Sequence, residues 1–286
     1  MKPIYEMYIC NIDITKHCHN ACPYCIRYVR HLRSEQKYHM SLDYFTKALD
    51  SLVGWPGEIG LCGGEPTLHP QFPEILQLIN KHKAKYPGSR FQMFTAHKEN
   101  FEKYHELMQG TLCCVHLNEH NDYQKSVCLH QPATVAIGEM VKDKKLRESL
   151  IDNCWVQKVW APVINEKGAY FCEVAGSLAT VIDGPDGYPI ERGWWDKTPE
   201  QFKEQRDFFC KRCGMALPMK RDILGSKIEQ FTPRLLAEFQ SHNAKGTGDD
   251  HVSVITRAFS NKEIEKNSIG WDPGNYRQDL EAVSEN

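Results

Sequence analysis

The chain has 286 residues, of which 41% are hydrophobic and 25% charged, a composition that excludes wholesale disorder. Its 35 basic and 37 acidic residues leave a formal net charge of −2, so no global basic field exists to hold nucleic acid or an anionic membrane. No stretch approaches the roughly 20 apolar residues of a membrane helix, and Met1–Glu6 lacks the apolar core of a secretory signal; the expected location is the cytoplasm. Twelve cysteines in a reducing compartment point to metal binding or catalysis rather than to disulfides.

Ile4, Tyr8, Cys10, Ile12 and Ile14 share one face of an alternating pattern and predict a first strand over 4–14. A loop rich in Cys and His follows, from Thr15 to Cys25. Ser41 can N-cap a helix whose apolar side is Leu42, Phe45, Leu49 and Leu52, ended by Gly54 and Pro56. Glu58–Cys62 reads as a strand stopped by Gly63-Gly64. Pro70–Lys83 reads as a helix, Phe91–Thr95 as a strand, and Phe101–Met108 as a helix. Leu112–Leu117 and Thr134–Ile137 read as strands and Val141–Ile151 as a helix. Strand and helix thus alternate roughly every 20–30 residues, which predicts a parallel sheet. The expected fold is α/β, a partial (β/α)6 TIM-like barrel over 1–150, with ligands at the C-terminal ends of its strands.

The texture changes after Asp152. Val159–Ile164 and Ala169–Phe171 flank a turn at 165–168 and predict a hairpin. Leu178–Ile182 reads as a strand before the double turn signal of 183–187, and Pro199–Phe208 as a helix ending at a cysteine pair. This predicts a small α+β appendage over 151–220. Residues 221–286 form a polar tail with one amphipathic helix around Thr232–Phe239 and a loop over Ser241–Asp250.

Cys18, Cys22 and Cys25 place three thiols within eight residues. Three thiolates on one loop can grip three corners of an iron–sulfur cubane and leave one iron open. On spacing alone, zinc with His17 or His19 as a fourth ligand fits equally well. The pattern Cys-x-x-x-Cys-x-aromatic-Cys after a first strand, with Gly63-Gly64-Glu65-Pro66-Thr67 after the second, resembles the radical S-adenosylmethionine (SAM) superfamily. The resemblance spans roughly residues 4–165.

That resemblance implies a [4Fe–4S] cluster on Cys18, Cys22 and Cys25, with the methionyl amine and carboxylate of SAM on the open iron. Gly63, Gly64 and Glu65 would meet the amine, and Tyr24 would lie by the adenine. Thr95 and Asn118, ending the third and fourth strands, would face the sulfonium side and the ribose. Gly138 matches a short Gly-containing motif after strand five. The resemblance further implies a reducing donor such as flavodoxin or ferredoxin. SAM would then be cleaved to methionine and a 5′-deoxyadenosyl radical, which abstracts hydrogen from substrate.

Cys154, Cys172, Cys210 and Cys213 follow the pattern Cys-x17-Cys-x37-Cys-x2-Cys. Four thiolates saturate a cubane; structural zinc is the other reading of an isolated late CxxC. After a radical SAM pattern, cysteines flanking a hairpin and then a CxxC resemble the twitch domain, a shortened SPASM domain. The wide x17 interval resembles the 2-deoxy-scyllo-inosamine dehydrogenase type of alcohol oxidase. The implied function is oxidation of a carbinol on a small polyhydroxylated molecule, a sugar or aminocyclitol, with the second cluster taking an electron. A redox-neutral epimerase or a peptide-modifying enzyme is the alternative. A non-catalytic iron–sulfur or zinc protein is the alternative from another class, and the Gly-Gly-Glu turn argues against it.

Other residues carry weaker signals. Cys62 can donate hydrogen to a substrate radical, as an epimerase requires, or be a small buried residue at a strand end. Arg147 can act as an anion clamp or base partner, or be a helix-face arginine. Cys113 and Cys114 read as core, and Cys10 and Cys128 show no local partner. His116, His120 and His130 are possible proton carriers. Trp194, Trp195 and Trp271 read as a substrate wall or as packing.

Overall fold

The computed structural model describes residues 1–118, 131–159, 161–219, 228–248 and 250–271. β1 (Ile9–Thr15) leads into the cysteine loop. Tyr8 is half exposed and Ile4 lies in a short 3-10 turn, so the strand begins later than the alternation predicted. α1 (Leu42–Ser51) starts at Ser41, whose hydroxyl accepts from the Tyr44 N–H at 3.2 Å. β2 (Glu58–Gly63), α2 (Phe72–Lys85), β3 (Arg90–Thr95), α3 (Lys98–Thr111) and β4 (Cys114–Leu117) continue the alternation. These four strands are parallel, in the order β4-β3-β2-β1.

The two faces of the sheet differ because side chains alternate along each strand. Ile12, Ile14, Leu61 and Met93 join Phe45 and Leu49 of α1 and Phe72 and Ile75 of α2 in one apolar core. Fully burying each such side chain is worth about 1.5–3 kcal/mol. Asn11, Asp13 and Cys62 take the opposite parity and face a polar interior.

Beyond residue 131 the chain departs from the predicted elements. Thr134–Ile137 is not a strand. It is a turn leading into α4 (Ile137–Met140), held in part by the Cys213–Gly214 backbone: Ile137 N–H donates to Cys213 C=O at 3.1 Å and Gly214 N–H to Ala133 C=O at 3.0 Å. α5 (Lys144–Asp152) and α6 (Val156–Val159) follow. The predicted hairpin is present as β5 (Val163–Asn165) and β6 (Gly168–Tyr170), but it belongs to the main sheet: β5 pairs parallel with β1 on the edge opposite β2. The sheet is therefore mixed and mostly parallel, in the order β4-β3-β2-β1-β5-β6. It is not six successive βα units. β1 is buried along its whole length because it has neighbours on both edges.

Of residues 178–182, predicted as a strand, 178–181 belong to α7 (Glu173–Val181), every residue of which is buried, and Ile182 is its C-cap. A helix apolar all round shows no 3.6 period, so its sequence cannot be told from a buried strand by periodicity. α8 (Lys203–Phe209) ends at the cysteine pair. In the tail, β7 (Glu229–Phe231) and β8 (Val252–Val254) pair in parallel as a separate two-stranded sheet, α9 (Pro233–Ser241) packs into the main core, and α10 (Asn261–Ser268) follows. α10 was missed in the sequence, although its Ser260–Glu263 capping box is legible there. Among the described residues no helix is long and apolar enough to cross a membrane.

Candidate active site

β1 and β2 end side by side, and a register break after Asp13 sets Thr15 opposite Gly63. Gly64 N–H donates to the Thr15 carbonyl at 2.8 Å and Glu65 N–H to the His17 carbonyl at 2.7 Å. The Gly-Gly-Glu turn is thus stitched to the backbone immediately before Cys18. Both glycines are required by this approach. A Cβ on Gly63 would lie 2.1 Å from the Thr15 oxygen, and one on Gly64 would lie 2.2 Å from the His17 oxygen. Gly63 also has a φ of 133°, which side chains disfavour.

Glu65 is buried and accepts four hydrogen bonds. Its Oε1 takes the Thr67 N–H at 3.1 Å and the hydroxyls of Thr67 and Thr95, both at 2.7 Å; its Oε2 takes the Ala96 N–H at 2.8 Å. A carboxylate offers about four acceptor sites, so Glu65 locks the turn to the end of β3 and keeps little spare capacity, on Oε2. Asn118, exposed just past β4, donates its N–H to the Thr95 carbonyl at 2.8 Å. Glu65, Thr95 and Asn118 therefore stand together at the C-terminal ends of β2, β3 and β4.

Cys18, Cys22 and Cys25 lie within electrostatic reach of one another, and Cys18 also senses Glu65. Burial pushes the Cys18 thiol up to about 12 and that of Cys25 to about 11. Three soft donors gathered in a low-dielectric pocket suit an iron–sulfur cluster. Among the described residues no three His, Cys, Asp or Glu side chains close around a single metal-ion position. A cubane spreads its thiolates over separate irons and does not need that closure. His17 stacks on His39 with centroids 4.2 Å apart, and His19 meets the edge of His97 at 4.6 Å. Tyr24, buried between the cysteines, adopts a left-handed φ of 54°, and its hydroxyl oxygen accepts from the Gln230 N–H at 3.0 Å.

Sequence reasoning missed the polar interior behind this loop. The Arg27 guanidinium pairs with Asp13 at 3.2 Å and Glu173 at 2.6 Å. Lys16, fully buried, pairs with Asp13 at 2.7 Å and donates to Ser177 at 3.1 Å. Asn11 donates to Glu173 at 2.8 Å and its side-chain oxygen accepts from the Cys62 thiol at 3.3 Å. Two basic side chains are thus paired with two acidic ones. Burial raises Glu173 to about 7, against the opposing pull of Arg27, and raises Cys62 to about 12. The one signal in the sequence was charge inside an apolar strand, Asp13 between Ile12 and Ile14. Cys62 is thus not packed as a simple apolar residue; it borders this network.

The second cysteine set is assembled from three elements. Cys154 precedes α6, Cys172 is the N-cap residue of α7, and Cys210 and Cys213 bracket the turn after α8. All four line one cavity of about 30 Å³, together with Ile151, Phe171, Leu178 and Phe209. Burial raises Cys154 to about 11 and Cys172 to about 12, and lifts Cys210 and Cys213 well above the usual thiol range. Glu173, next to Cys172, joins this set to Arg27 and so to the first loop.

The remaining residues lie elsewhere. Gly138 sits in α4, where a Cβ would come 2.7 Å from the Lys211 carbonyl; it packs beside the second cysteine set. Arg147 donates to the Val141 carbonyl at 2.9 Å and braces the start of α5. Cys10 is buried in the core as a small apolar residue. Cys113 and Cys114 are not core: Cys113 is exposed, and Cys114, half-buried on edge strand β4, has its sulfur 3.1 Å from His116 Nε2. Trp194, Trp195 and Trp271 pack against the core, and Trp195 donates to the Ser51 carbonyl at 3.1 Å. His120, Cys128 and His130 lie outside the described residues.

Residues 12–120 match the radical SAM superfamily. This segment holds Cys18, Cys22, Cys25 and the Gly63–Glu65 turn; members of that superfamily use SAM and a [4Fe–4S] cluster. No curated protein sequence matches the chain. Among solved structures, the fold is similar to BtrN in complex with AdoMet and 2-DOIA, at 12% identity and a TM-score of 0.46, covering 72% of this chain and 88% of that one. It is also similar to selenomethionine BtrN in an open conformation, at 12% identity and a TM-score of 0.42, covering 78% and 94%. Similarity this distant carries no inference about reaction or substrate.

Proposed function

We propose that this protein, through its radical SAM domain, oxidises a carbinol carbon of a small polyhydroxylated substrate such as a sugar or aminocyclitol. In this reading Cys18, Cys22 and Cys25 hold the SAM-binding [4Fe–4S] cluster. Cys154, Cys172, Cys210 and Cys213 hold a second, fully ligated one in a twitch-like appendage. The observation that carries the reading is the pair of donor sets: three thiols on an open loop, and four lining one cavity. Three and four thiolates are what an open and a saturated cubane require.

When bound, these groups supply a 5′-deoxyadenosyl radical that removes a hydrogen atom and an acceptor for the electron that must follow it. A reductant of the flavodoxin or ferredoxin class supplies the electron that starts the cycle. The chain's own residues do the positioning. Gly63 and Gly64 let the turn reach the cysteine loop, and Glu65 and Thr95 fix it to β3. The paired side chains of Asp13, Lys16, Arg27 and Glu173 make the interior behind the cysteine loop polar, which suits a hydroxylated rather than an apolar molecule. Loss of a hydrogen atom, then of a proton and an electron, leaves a carbonyl product two hydrogens lighter.

A second reading, redox-neutral epimerisation, is favoured by one observation. The Cys62 thiol borders the polar interior and is kept protonated by burial, the state from which a hydrogen atom is donated. One experiment separates the two. Reduced, anaerobic protein is incubated with SAM and a panel of aminocyclitols and sugars, in light and in heavy water. Oxidation gives 5′-deoxyadenosine and a product lighter by two hydrogens, and Cys62→Ala spares it. A product of unchanged mass in light water that carries one carbon-bound deuterium when formed in heavy water, and is lost with Cys62→Ala, sinks the oxidation. Absence of 5′-deoxyadenosine under all conditions sinks both readings.

A further inference from the structure

The match to the radical SAM superfamily ends at residue 120, yet the cysteine loop is closed from behind by residues far beyond it. Tyr24 and Tyr28 both adopt left-handed backbone conformations, with φ of 54° and 52°. Such conformations are unfavourable for an aromatic residue and persist only where the surroundings over-determine them. Here the surroundings are the tail. Gln230 donates its N–H to the Tyr24 hydroxyl at 3.0 Å. The neighbouring Glu229 carboxylate, 1% exposed, receives His31 Nε2 at 3.1 Å, Arg30 Nη1 at 3.4 Å and the Thr134 hydroxyl at 3.3 Å. His31 Nδ1 faces the Lys245 carbonyl at 2.8 Å, and Lys245 N–H donates to the His31 carbonyl at 3.0 Å. Phe239 closes edge-to-face on both Tyr28 and His31, at 5.8 and 5.3 Å.

We infer that residues 229–245 are a clamp that completes the SAM site, with Glu229 and Gln230 as the positioning residues that set Tyr24. The inference deepens the reading above and rests on it, since it takes Tyr24 to lie along bound SAM. β7 holds the Tyr24 ring from its hydroxyl end. Glu229 fixes β7 by binding Arg30 and His31, which follow Tyr24 on the same loop. Cutting either link frees Tyr24 without touching a cysteine.

The test uses the full chain, anaerobically reconstituted, and measures SAM affinity by equilibrium dialysis, iron content and melting temperature. Tyr24→Phe removes the oxygen that Gln230 binds, and Glu229→Gln removes the charge at the centre of the clamp. Each weakens SAM binding roughly two- to tenfold, the effect of one lost buried hydrogen bond, with iron content unchanged. The double variant is no weaker than the worse single one, because both changes cut the same clamp. The reduced cluster's EPR spectrum with SAM changes in both variants, a readout that a merely structural role would not move. If Glu229→Gln does not fold, Tyr24→Phe decides alone, since it deletes a single oxygen. Unchanged SAM affinity in both variants, or effects that multiply in the double variant, overturns the clamp. A wild type that binds no SAM overturns the reading beneath it as well.

Discussion

Glu65 does two jobs in one place. Its carboxylate collects Thr67, Thr95 and the Ala96 N–H, so the residue assigned to an ammonium is also the bolt between two strand ends. Glu65→Ala should weaken SAM binding by about 1.5–3 kcal/mol, the value of a hydrogen bond to a charged group, and leave iron bound, because no cysteine is disturbed. It should also lower the melting temperature, because four donors lose their acceptor. Dialysis, an iron assay and a thermal melt on the same sample check this; unchanged SAM affinity would show that the bolt is the whole of its role. The residue itself was legible as part of a motif. Its partners were not, because Thr95 and Ala96 lie thirty residues on and meet Glu65 only when β2 and β3 pair.

At the scale of elements, the Gly-Gly-Glu turn and the cysteine loop act as one piece. Gly64→Ala would place a methyl group 2.2 Å from the His17 carbonyl oxygen and 3.1 Å from the Cys18 Cβ, and neither is the end of a flexible side chain that can yield. Overpacking of this kind costs about 1–3 kcal/mol. The expected outcome is a lower melting temperature together with weaker SAM binding, since the turn must move off the loop. Loss of stability with intact SAM affinity would show that the turn's position against Cys18 is unimportant. Amphipathic helices such as α1 and α2 were legible here, because a half-buried helix writes its period into the sequence. α7 was not, since burial on all sides erases the period. Thr134–Ile137 failed for a different reason: short apolar runs are ambiguous until a neighbouring strand, or its absence, decides them.

At the scale of the molecule, the buried pairs Arg27–Glu173 and Arg27–Asp13 connect the two cysteine sets through the interior. In the proposed reading each set makes its own demand on metal. Anaerobically reconstituted protein should hold about eight irons, and the variant with Cys18, Cys22 and Cys25 all changed to Ala about four, following the ligand counts of two cubanes. Zinc in the second set, with iron in the first alone, would reject the twitch-like reading while leaving the radical SAM domain intact.

The chemistry that local spacing can encode is readable before the chain folds. Three cysteines on one loop, a Gly-Gly-Glu turn after a strand, and the strand–helix alternation of the first 118 residues are all properties of neighbours along the chain. Tertiary structure alone decided what depends on distant contacts. It moved the Val163–Tyr170 hairpin onto β1. It gathered Cys154, Cys172, Cys210 and Cys213 around one cavity, and it buried Asp13, Lys16, Arg27 and Glu173 together. A buried charge is tolerable only with its partner in place. Because each partner here comes from a different element, no local pattern could announce the network before the chain had folded.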